Sequence, residues 1–126
     1  MPARTPDEVV LQIIRALNTG DVEAALALYE PGATFVPEPG KAVTGVDAIR
    51  DVLNGFLALK PQMTIQVHQV VEAADLALVC SRWTLKGTDP DGSPVELAGL
   101  GADIVRRQEH GTWRFVVDNP FADAGG

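Results

Sequence analysis

The sequence predicts a single α+β domain in which three short helices pack on an antiparallel sheet. Helical patterns occupy roughly the first half of the 126 residues, and long strand-like segments occupy the second half. This segregation is typical of α+β proteins whose helices cover one face of an antiparallel sheet. Residues 1–126 contain neither an internal repeat nor a linker, and the length suits one domain with its own core.

Apolar stripes and capping signals predict the three helices. Thr5 and Glu8 have the spacing of a capping box, and Asp21 suits the N-cap of the second helix. Prolines and glycines end each segment, because neither residue type favours a helix interior. The predicted helices lie within residues 5–20, 21–31 and 44–61.

Strands are predicted wherever apolar residues alternate with polar ones between turn signals. Pro37 and Pro39 are expected to end a short strand before the third helix, and residues 87–94 give the strongest turn signal. The predicted strands lie at residues 33–36, 62–72, 76–85, 95–107 and 112–118. Residues 122–126 are expected to form a flexible tail.

The net charge argues against two classes of binding partner. A net charge of −7 disfavours binding to nucleic acid or to an anionic membrane surface. Cys80 is the only cysteine, which excludes an internal disulfide and a zinc site of paired cysteines. The sequence shows neither a bilayer-spanning apolar run nor a signal peptide, so a cytoplasmic protein is the expectation.

Four segments in the same order resemble the sequence pattern of SnoaL-like domains. Residues 17–21 read Leu-Asn-Thr-Gly-Asp and lead into residues 27–35, as in the opening of those domains. Residues 45–50 resemble their third helix, and residues 111–115 resemble their final strand. The resemblance covers nearly the whole chain and extends to ketosteroid isomerases and the wider nuclear-transport-factor-two-like superfamily.

The resemblance implies a cone-shaped, cystatin-like α+β barrel. In that fold three helices and a curved antiparallel sheet enclose an apolar pocket, which implies a small apolar molecule as ligand. It also implies a homodimer formed through the sheet. Relatives include isomerases, polyketide cyclases, dehydratases, epoxide hydrolases and non-enzymes, so no single activity follows from the fold.

Asp103 interrupts an otherwise apolar strand between Ala102 and Ile104. From Asp103 to Gly111 the chain aligns without a gap to ketosteroid isomerases, which keep a protonated aspartic acid at this position. The resemblance therefore implies that Asp103 acts as an acid or as an oxyanion donor. Burial of Asp103 would raise its pKa, because burial disfavours the charged carboxylate.

The other residues of the isomerase site differ in this chain. The helix-one tyrosine of those enzymes falls at Ile13, and their first-strand base falls at Pro37. Glu38, next to Pro37, is a candidate base if the loop turns it inward and a solvated carboxylate otherwise. Asp118 is the second candidate base.

Asp118 can share a pocket with Asp103 only if both side chains lie on one face of the sheet. An even-numbered connection in the last hairpin would put them on one face, and an odd-numbered connection would separate them. Two carboxyl groups in one dry pocket divide into an acid and a base. In the alternative, Asp118 ends its strand in water or caps local backbone.

The face on which Asp103 lies also decides the role of the opposite face of the last two strands. That face is expected to be either a dimer interface or the pocket lining, and in the second case Asp103 points outward. Its predicted members are Ala98, Leu100, Ala102, Ile104, Trp113, Phe115 and Val117.

Five further residues are predicted to bind the ligand. Tyr29, Phe35 and Trp83 are candidate pocket walls as well as ordinary core residues, and Tyr29 adds a hydroxyl group. Gly101 can leave room for a ligand, and Val116 belongs to the neighbouring strand.

Two other kinds of site are not expected. Epoxide hydrolases of this fold use an Asp-Arg-Asp set, and although Arg82 lies near the matching arginine, Thr84 occupies the neighbouring aspartate position. No carboxylate is spaced around His68 or His110 as a metal site requires, so neither a metal nor another cofactor is expected.

Two functional hypotheses follow from these residues. In the first, the protein is a small enzyme in which Asp103 acts as acid and Asp118 or Glu38 as base, moving a proton next to a carbonyl group. In the second, the same fold is a ligand-binding or dimerising module without catalysis. The replaced tyrosine and aspartate positions favour the second hypothesis.

Overall fold

The chain folds as an α+β domain with three helices and one six-stranded sheet. The structure is a computed structural model that describes residues 3–122. Residues 123–126, most of the expected tail, lie outside this range. The elements in chain order are α1 (Pro6–Thr19), α2 (Val22–Leu26), β1 (Tyr29–Glu38), β2 (Lys41–Thr44), α3 (Val46–Leu57), β3 (Gln62–Ala73), β4 (Leu76–Thr88), β5 (Pro94–Arg107) and β6 (Trp113–Asp118).

The sheet differs from the prediction in two respects. Its strand order is β2-β1-β6-β5-β4-β3, so β2 and β3 are open edges and the barrel is not closed. It is also mixed, because β6 runs parallel to β1 while every other neighbouring pair is antiparallel. The parallel pair arises because the meander from β3 to β6 brings the chain end back beside β1.

An unpredicted strand follows β1. Pro37 and Pro39 do not end pairing as expected, because the chain turns at Gly40 and Lys41 pairs with Glu38. Gly40 has a φ of 78°, a conformation that suits glycine. Pro39 lies in the turn, and Pro37 lies beyond Phe35, the last residue of β1 paired with β6, at an irregularity of the β1–β2 ladder, so neither proline interrupts a regular ladder.

Of the predicted helix starts and ends, two are confirmed and two are wrong. Asp21 caps α2 by accepting from the Ala24 N–H, and Gly20, with a φ of 75°, ends α1. Thr5 makes no capping bond to the backbone, because its hydroxyl instead bonds the Asp7 and Glu8 side chains. The third helix begins after Gly45, since Thr44 belongs to β2.

The core lies between the helices and the inner face of the sheet. Helix α1 contributes a fully buried apolar stripe, and α3 contributes Ile49 and Leu53. Phe115 and Val105 are fully buried on the facing strands. Within residues 3–122, no helix is both long and apolar enough to cross a membrane.

Candidate functional site

A cavity of about 70 Å³ lies between α1, α3 and the inner face of the sheet. Most of its wall is apolar, and its polar side chains come from β1, β4, β5 and β6. The apolar wall includes Val10, Ile13, Leu53, Phe56, Ile65 and Phe115. The polar side chains are those of Tyr29, Ser81, Asp103 and Asp118.

Asp103 and Asp118 are buried side by side at this cavity. Their side chains are hydrogen-bonded to each other, and the two residues are 4% and 9% exposed. Burial raises the pKa of Asp103 well above its usual range, and the charge and hydrogen bond of Asp118 raise it further. Asp103 therefore holds a proton at a pH where an ordinary aspartate is ionised.

Asp118 accepts hydrogen bonds from two neighbouring side chains. Burial raises its pKa too, but hydrogen bonds from Tyr29 and Asp103 stabilise the carboxylate and oppose that rise. The Tyr29 hydroxyl donates to Asp118 Oδ2 at 2.5 Å. Because burial and the Asp118 charge raise the pKa of Tyr29 well above its usual value, the phenol stays neutral and remains a donor.

Neighbouring groups hold both ends of this row of hydrogen-bonded side chains, by ring packing at Tyr29 and by a backbone hydrogen bond at Asp103. The Tyr29 ring lies 4.9 Å from that of Phe115 and 6.3 Å from that of Phe35, measured between centroids. At the other end, the Asn119 N–H donates to Asp103 Oδ1 at 2.8 Å and opposes the rise in the pKa of that carboxyl group. Tyr29, Asp118 and Asp103 thus form one pre-organised polar row.

A β-bulge puts the two carboxyl groups on one face. The β5–β6 connection, residues 108–112, is odd-numbered, and a regular ladder would therefore have separated Asp103 from Asp118. Instead Val105 pairs with Phe115 and Ile104 with Val117, so Val116 is the extra residue. Continuing this register by one residue brings Asp118 opposite Asp103.

The odd-numbered connection and the bulge together divide the predicted grouping of the sheet faces. Trp113 and Phe115 are buried on the inner face, the same face as Asp103, whereas Ile104 and Val117 are paired on the outer face. The predicted face therefore combined residues from both sides of the sheet. No regular alternation carries through β6, because the extra residue resets it.

Four of the predicted site residues besides the carboxyl pair line the cavity, and two do not. Tyr29, Phe35, Trp83 and Gly101 are part of its wall. Val116 is half-buried at the bulge and outside the lining.

Glu38 also lies outside the cavity. It is exposed at the end of β1, and its side chain is 3.8 Å from the Lys41 ammonium group. The hairpin holds it there, because Glu38 and Lys41 are paired in the β1–β2 ladder.

The chain after β6 completes the cavity wall in a way that the sequence analysis missed. Residues 119–122 run along β5, with the Ala102 N–H donating to the Asn119 carbonyl oxygen and the Ala122 N–H to that of Leu100. Trp83 Nε1 donates to the Pro120 carbonyl oxygen at 2.7 Å, and its ring meets that of Phe121 edge to face. Phe121, an aromatic residue beyond the last strand, was the available signal.

The remaining candidates lie away from the cavity. Arg82 and Thr84 are exposed on the outer side of β4, and His68 and His110 are exposed on β3 and in the last turn. Among residues 3–122, no group of three or more His, Cys, Asp or Glu side chains could hold a metal ion.

Comparisons with known proteins agree on the fold. The sequence profile of the SnoaL-like domain family matches residues 10–116. None of the curated proteins is similar enough to the chain to count as a match. Solved structures do match, although their sequence identity is low enough that they show the fold alone.

Three of the similar structures illustrate this. A ketosteroid isomerase-like protein from Erwinia carotovora atroseptica is 22% identical, with a TM-score of 0.79 over 90% of this chain and 89% of that chain. A conserved protein from Planctomyces limnophilus is 19% identical, with a TM-score of 0.80 over 91% of each chain. An NTF2-like protein with a cystatin-like fold from Novosphingobium aromaticivorans is 17% identical, with a TM-score of 0.76 over 94% and 80%.

Proposed function

Because the chain belongs to the SnoaL-like domain family, we propose that its cavity binds a small apolar carbonyl compound and moves a proton next to the carbonyl group. The observation that carries this proposal is the pair of buried, hydrogen-bonded carboxyl groups at an otherwise apolar cavity. A buried carboxyl pair that shares one proton supplies an acid and a base at the same point.

Each carboxyl group has a distinct role in this proposal. Asp118, as the carboxylate, takes a proton from the carbon next to the carbonyl group, and the electron pair of that C–H bond forms the enolate. Once Asp118 has taken the proton, it no longer needs the O–H of Asp103 as a donor, and the neutral Asp103 donates its one hydrogen bond to the enolate oxygen. Return of the proton from Asp118 to another carbon completes isomerisation. Replacement of that proton by a solvent deuteron before it returns completes exchange, and neither outcome changes the net protonation.

Tyr29 acts as a positioning residue in this mechanism. Its hydroxyl group is already donated to Asp118 Oδ2, and its ring is packed between Phe35 and Phe115. It therefore orients the base and stabilises its charged form. Removing the hydroxyl group would make Asp118 a stronger but less well oriented base.

Hydrogen–deuterium exchange of a simple ketone tests the proposal. Cyclopentanone in D₂O is incubated with the protein, and deuterium incorporation next to the carbonyl group is followed by NMR. The wild type should accelerate exchange, and Asp118→Asn should lose about 100- to 10,000-fold of that acceleration, the usual contribution of a general base. Glu38→Gln is the matched control, because Glu38 is an exposed carboxylate outside the cavity.

A ligand-binding module without catalysis is the second candidate function. It is favoured by Ile13, which presents an apolar wall to the cavity where the resemblance to isomerases implied a catalytic tyrosine. Binding of cyclopentanone without accelerated exchange would support this candidate and contradict the catalytic one. Equal exchange rates for wild type and Asp118→Asn would also contradict the catalytic proposal.

We also propose that the outer sheet face binds a second copy of the chain. One register row across that face joins Val71, Leu78, Ile104 and Val117 on four neighbouring strands. Val71 is 46% exposed and Leu78 is 38% exposed. Burying such a row against its own symmetry copy would remove apolar surface from water.

A further inference from the structure

We propose that the Ser81 hydroxyl group is a second hydrogen-bond donor to the ligand oxygen, beside Asp103. The inference deepens the proposed function, since it assigns the residue that would recognise the carbonyl group. It was not among the residues that the sequence analysis singled out for binding. Three observations on β4 and β5 support it.

The first observation is that Ser81 is a buried polar residue without a partner. It is 1% exposed on the inner face of β4, and its hydroxyl group makes no hydrogen bond within residues 3–122. In that part of the chain, no side-chain oxygen or nitrogen that is fully enclosed lacks a partner. The Ser81 hydroxyl group must therefore face the open space of the cavity, whose wall it forms.

The second observation concerns Gly101, which is paired with Ser81 across the β4–β5 ladder. A Cβ atom at position 101 would lie 2.8 Å from Ser81 Oγ and 3.8 Å from Asp103 Oδ2. The absent side chain thus lets the Ser81 hydroxyl group lie close to the β5 backbone, on the side of the sheet where Asp103 also lines the cavity. The methyl group of an alanine would overlap the hydroxyl oxygen and force one of the two to move.

The third observation is the chemistry of the two groups. Asp103 is the protonated member of the carboxyl pair and can donate, and a serine hydroxyl group also donates. Both side chains line the cavity, so an oxygen atom of a ligand there can accept from both. Two donors in a dry, apolar setting are the usual arrangement for stabilising an oxyanion such as an enolate. Ser81 would then supply the donor that the apolar Ile13 does not.

A purely apolar ligand would not need two hydrogen-bond donors at the cavity. A buried hydroxyl group without a partner carries a desolvation cost that packing with alanine would avoid. The unpaired donor beside a neutral acid therefore fits a ligand with one oxygen acceptor on an apolar body. A ketone or an unsaturated ketone has that form.

A pair of isosteric probes tests the role of Ser81. Cyclopentanone and methylenecyclopentane have nearly the same shape, but only the first carries an oxygen acceptor. The affinity of each for wild type, Ser81→Ala and Ser93→Ala is measured by NMR titration. Ser93 is an exposed turn residue and controls for the loss of a serine hydroxyl group elsewhere.

Ser81→Ala should weaken cyclopentanone binding about 3- to 10-fold, as expected for one neutral hydrogen bond, and leave methylenecyclopentane unaffected. It should slow deuterium exchange about 100-fold or more, because an oxyanion donor contributes most in the transition state. Ser93→Ala should change neither quantity.

The possible outcomes separate this inference from the catalytic proposal. If Ser81→Ala binds both probes as the wild type does, the hydroxyl group holds only water and the inference is overturned. The same holds if the wild type does not prefer cyclopentanone. If the preference exists and is lost in Ser81→Ala, but no variant accelerates exchange, the donor assignment stands and the catalytic proposal fails.

Discussion

Each face of the sheet formed by β4, β5 and β6 carries a few residues that depart from the usual distribution of polarity, although the inner face is mainly apolar and the outer face is the more polar of the two. The inner face buries Ser81, Asp103 and Asp118, whereas the outer face leaves Leu78 partly exposed beside half-buried Ile104. Folding stability alone favours the opposite arrangement, because buried polar groups are costly and exposed apolar groups gain nothing. The two proposals each assign a reason to one departure: a small-molecule ligand for the inner polar groups and a second copy of the chain for the outer apolar row.

The inner face differs from the outer face in how its side chains are held. Tyr29, Asp118, Asp103 and the Asn119 N–H are joined in a single hydrogen-bonded row. Such a row is rigid and its charge depends on pH. The outer residues are held only by their strands, so changes there should act on association rather than on the fold.

The largest expected difference between the faces is in the pH dependence of stability. Because the folded-state pKa of Asp103 is raised, its contribution is fully present below about pH 4, the usual aspartate pKa, and is lost as pH rises through the folded-state pKa. The loss can reach about 1.4 kcal/mol per pH unit. Asp103→Asn keeps a donor to Asp118 but cannot ionise, so its stability should fall less with pH.

Urea unfolding at a series of pH values measures this difference. Asp51→Asn, at an exposed position on α3, is the matched control and should follow the wild type. Parallel stability curves for wild type and Asp103→Asn would show that Asp103 ionises as freely in the folded chain as in the unfolded one.

Tyr29→Phe should have an intermediate effect on the inner face. Loss of the hydroxyl donor leaves the buried Asp118 carboxylate with one fewer hydrogen bond and should lower the free energy of unfolding by about 1–3 kcal/mol. It should also raise the pKa of Asp118, since that bond opposes the effect of burial. Urea unfolding and carboxyl NMR measure the two effects, and an unchanged Asp118 titration would contradict the assigned bond.

Leu78→Glu should have the smallest effect on the fold and the clearest effect on association. Leu78 is 38% exposed, so the free energy of unfolding of a dilute monomer should change by only about 0.5 kcal/mol. A charge in the middle of the apolar row should abolish self-association, as measured by sedimentation velocity. A wild type that stays monomeric at high concentration would refute the proposed dimer face.

Helices and the β3–β6 meander were predictable because their signals are local. Gly20 and Asp21 mark the α1–α2 junction, and residues 87–94 mark the β4–β5 turn. The parallel pairing of β1 with β6 was not predictable, because it depends on where the meander ends in space. The β2 strand was missed for a related reason, since Pro37 and Pro39 are tolerable only because regular pairing of β1 stops before them.

Part of the candidate site could be predicted from the sequence, because only local signals can be read there. Asp103 stands out as a charge within an apolar strand, and its burial confirms that signal. Asp118 lies beside Asp103 only because Val116 is an extra residue in β6. A bulge formed by a valine has no reliable sequence signature. Ser81 gives no signal of its own, because a serine within a strand is common. Phe121 gives only its aromatic character beyond the last strand, which does not place it at the cavity.

Titration of the Asp103 carboxyl group by carbon-detected NMR tests the central claim most directly. The account predicts that Asp103 stays protonated as the pH rises past 4 and that Asp118 ionises before it, because burial and the Asp118 charge raise the pKa of Asp103. The Asp118→Asn variant should lower the Asp103 pKa by removing that charge. A wild-type Asp103 that titrates near 4, unaffected by Asp118→Asn, would contradict the acid and base roles assigned to the pair.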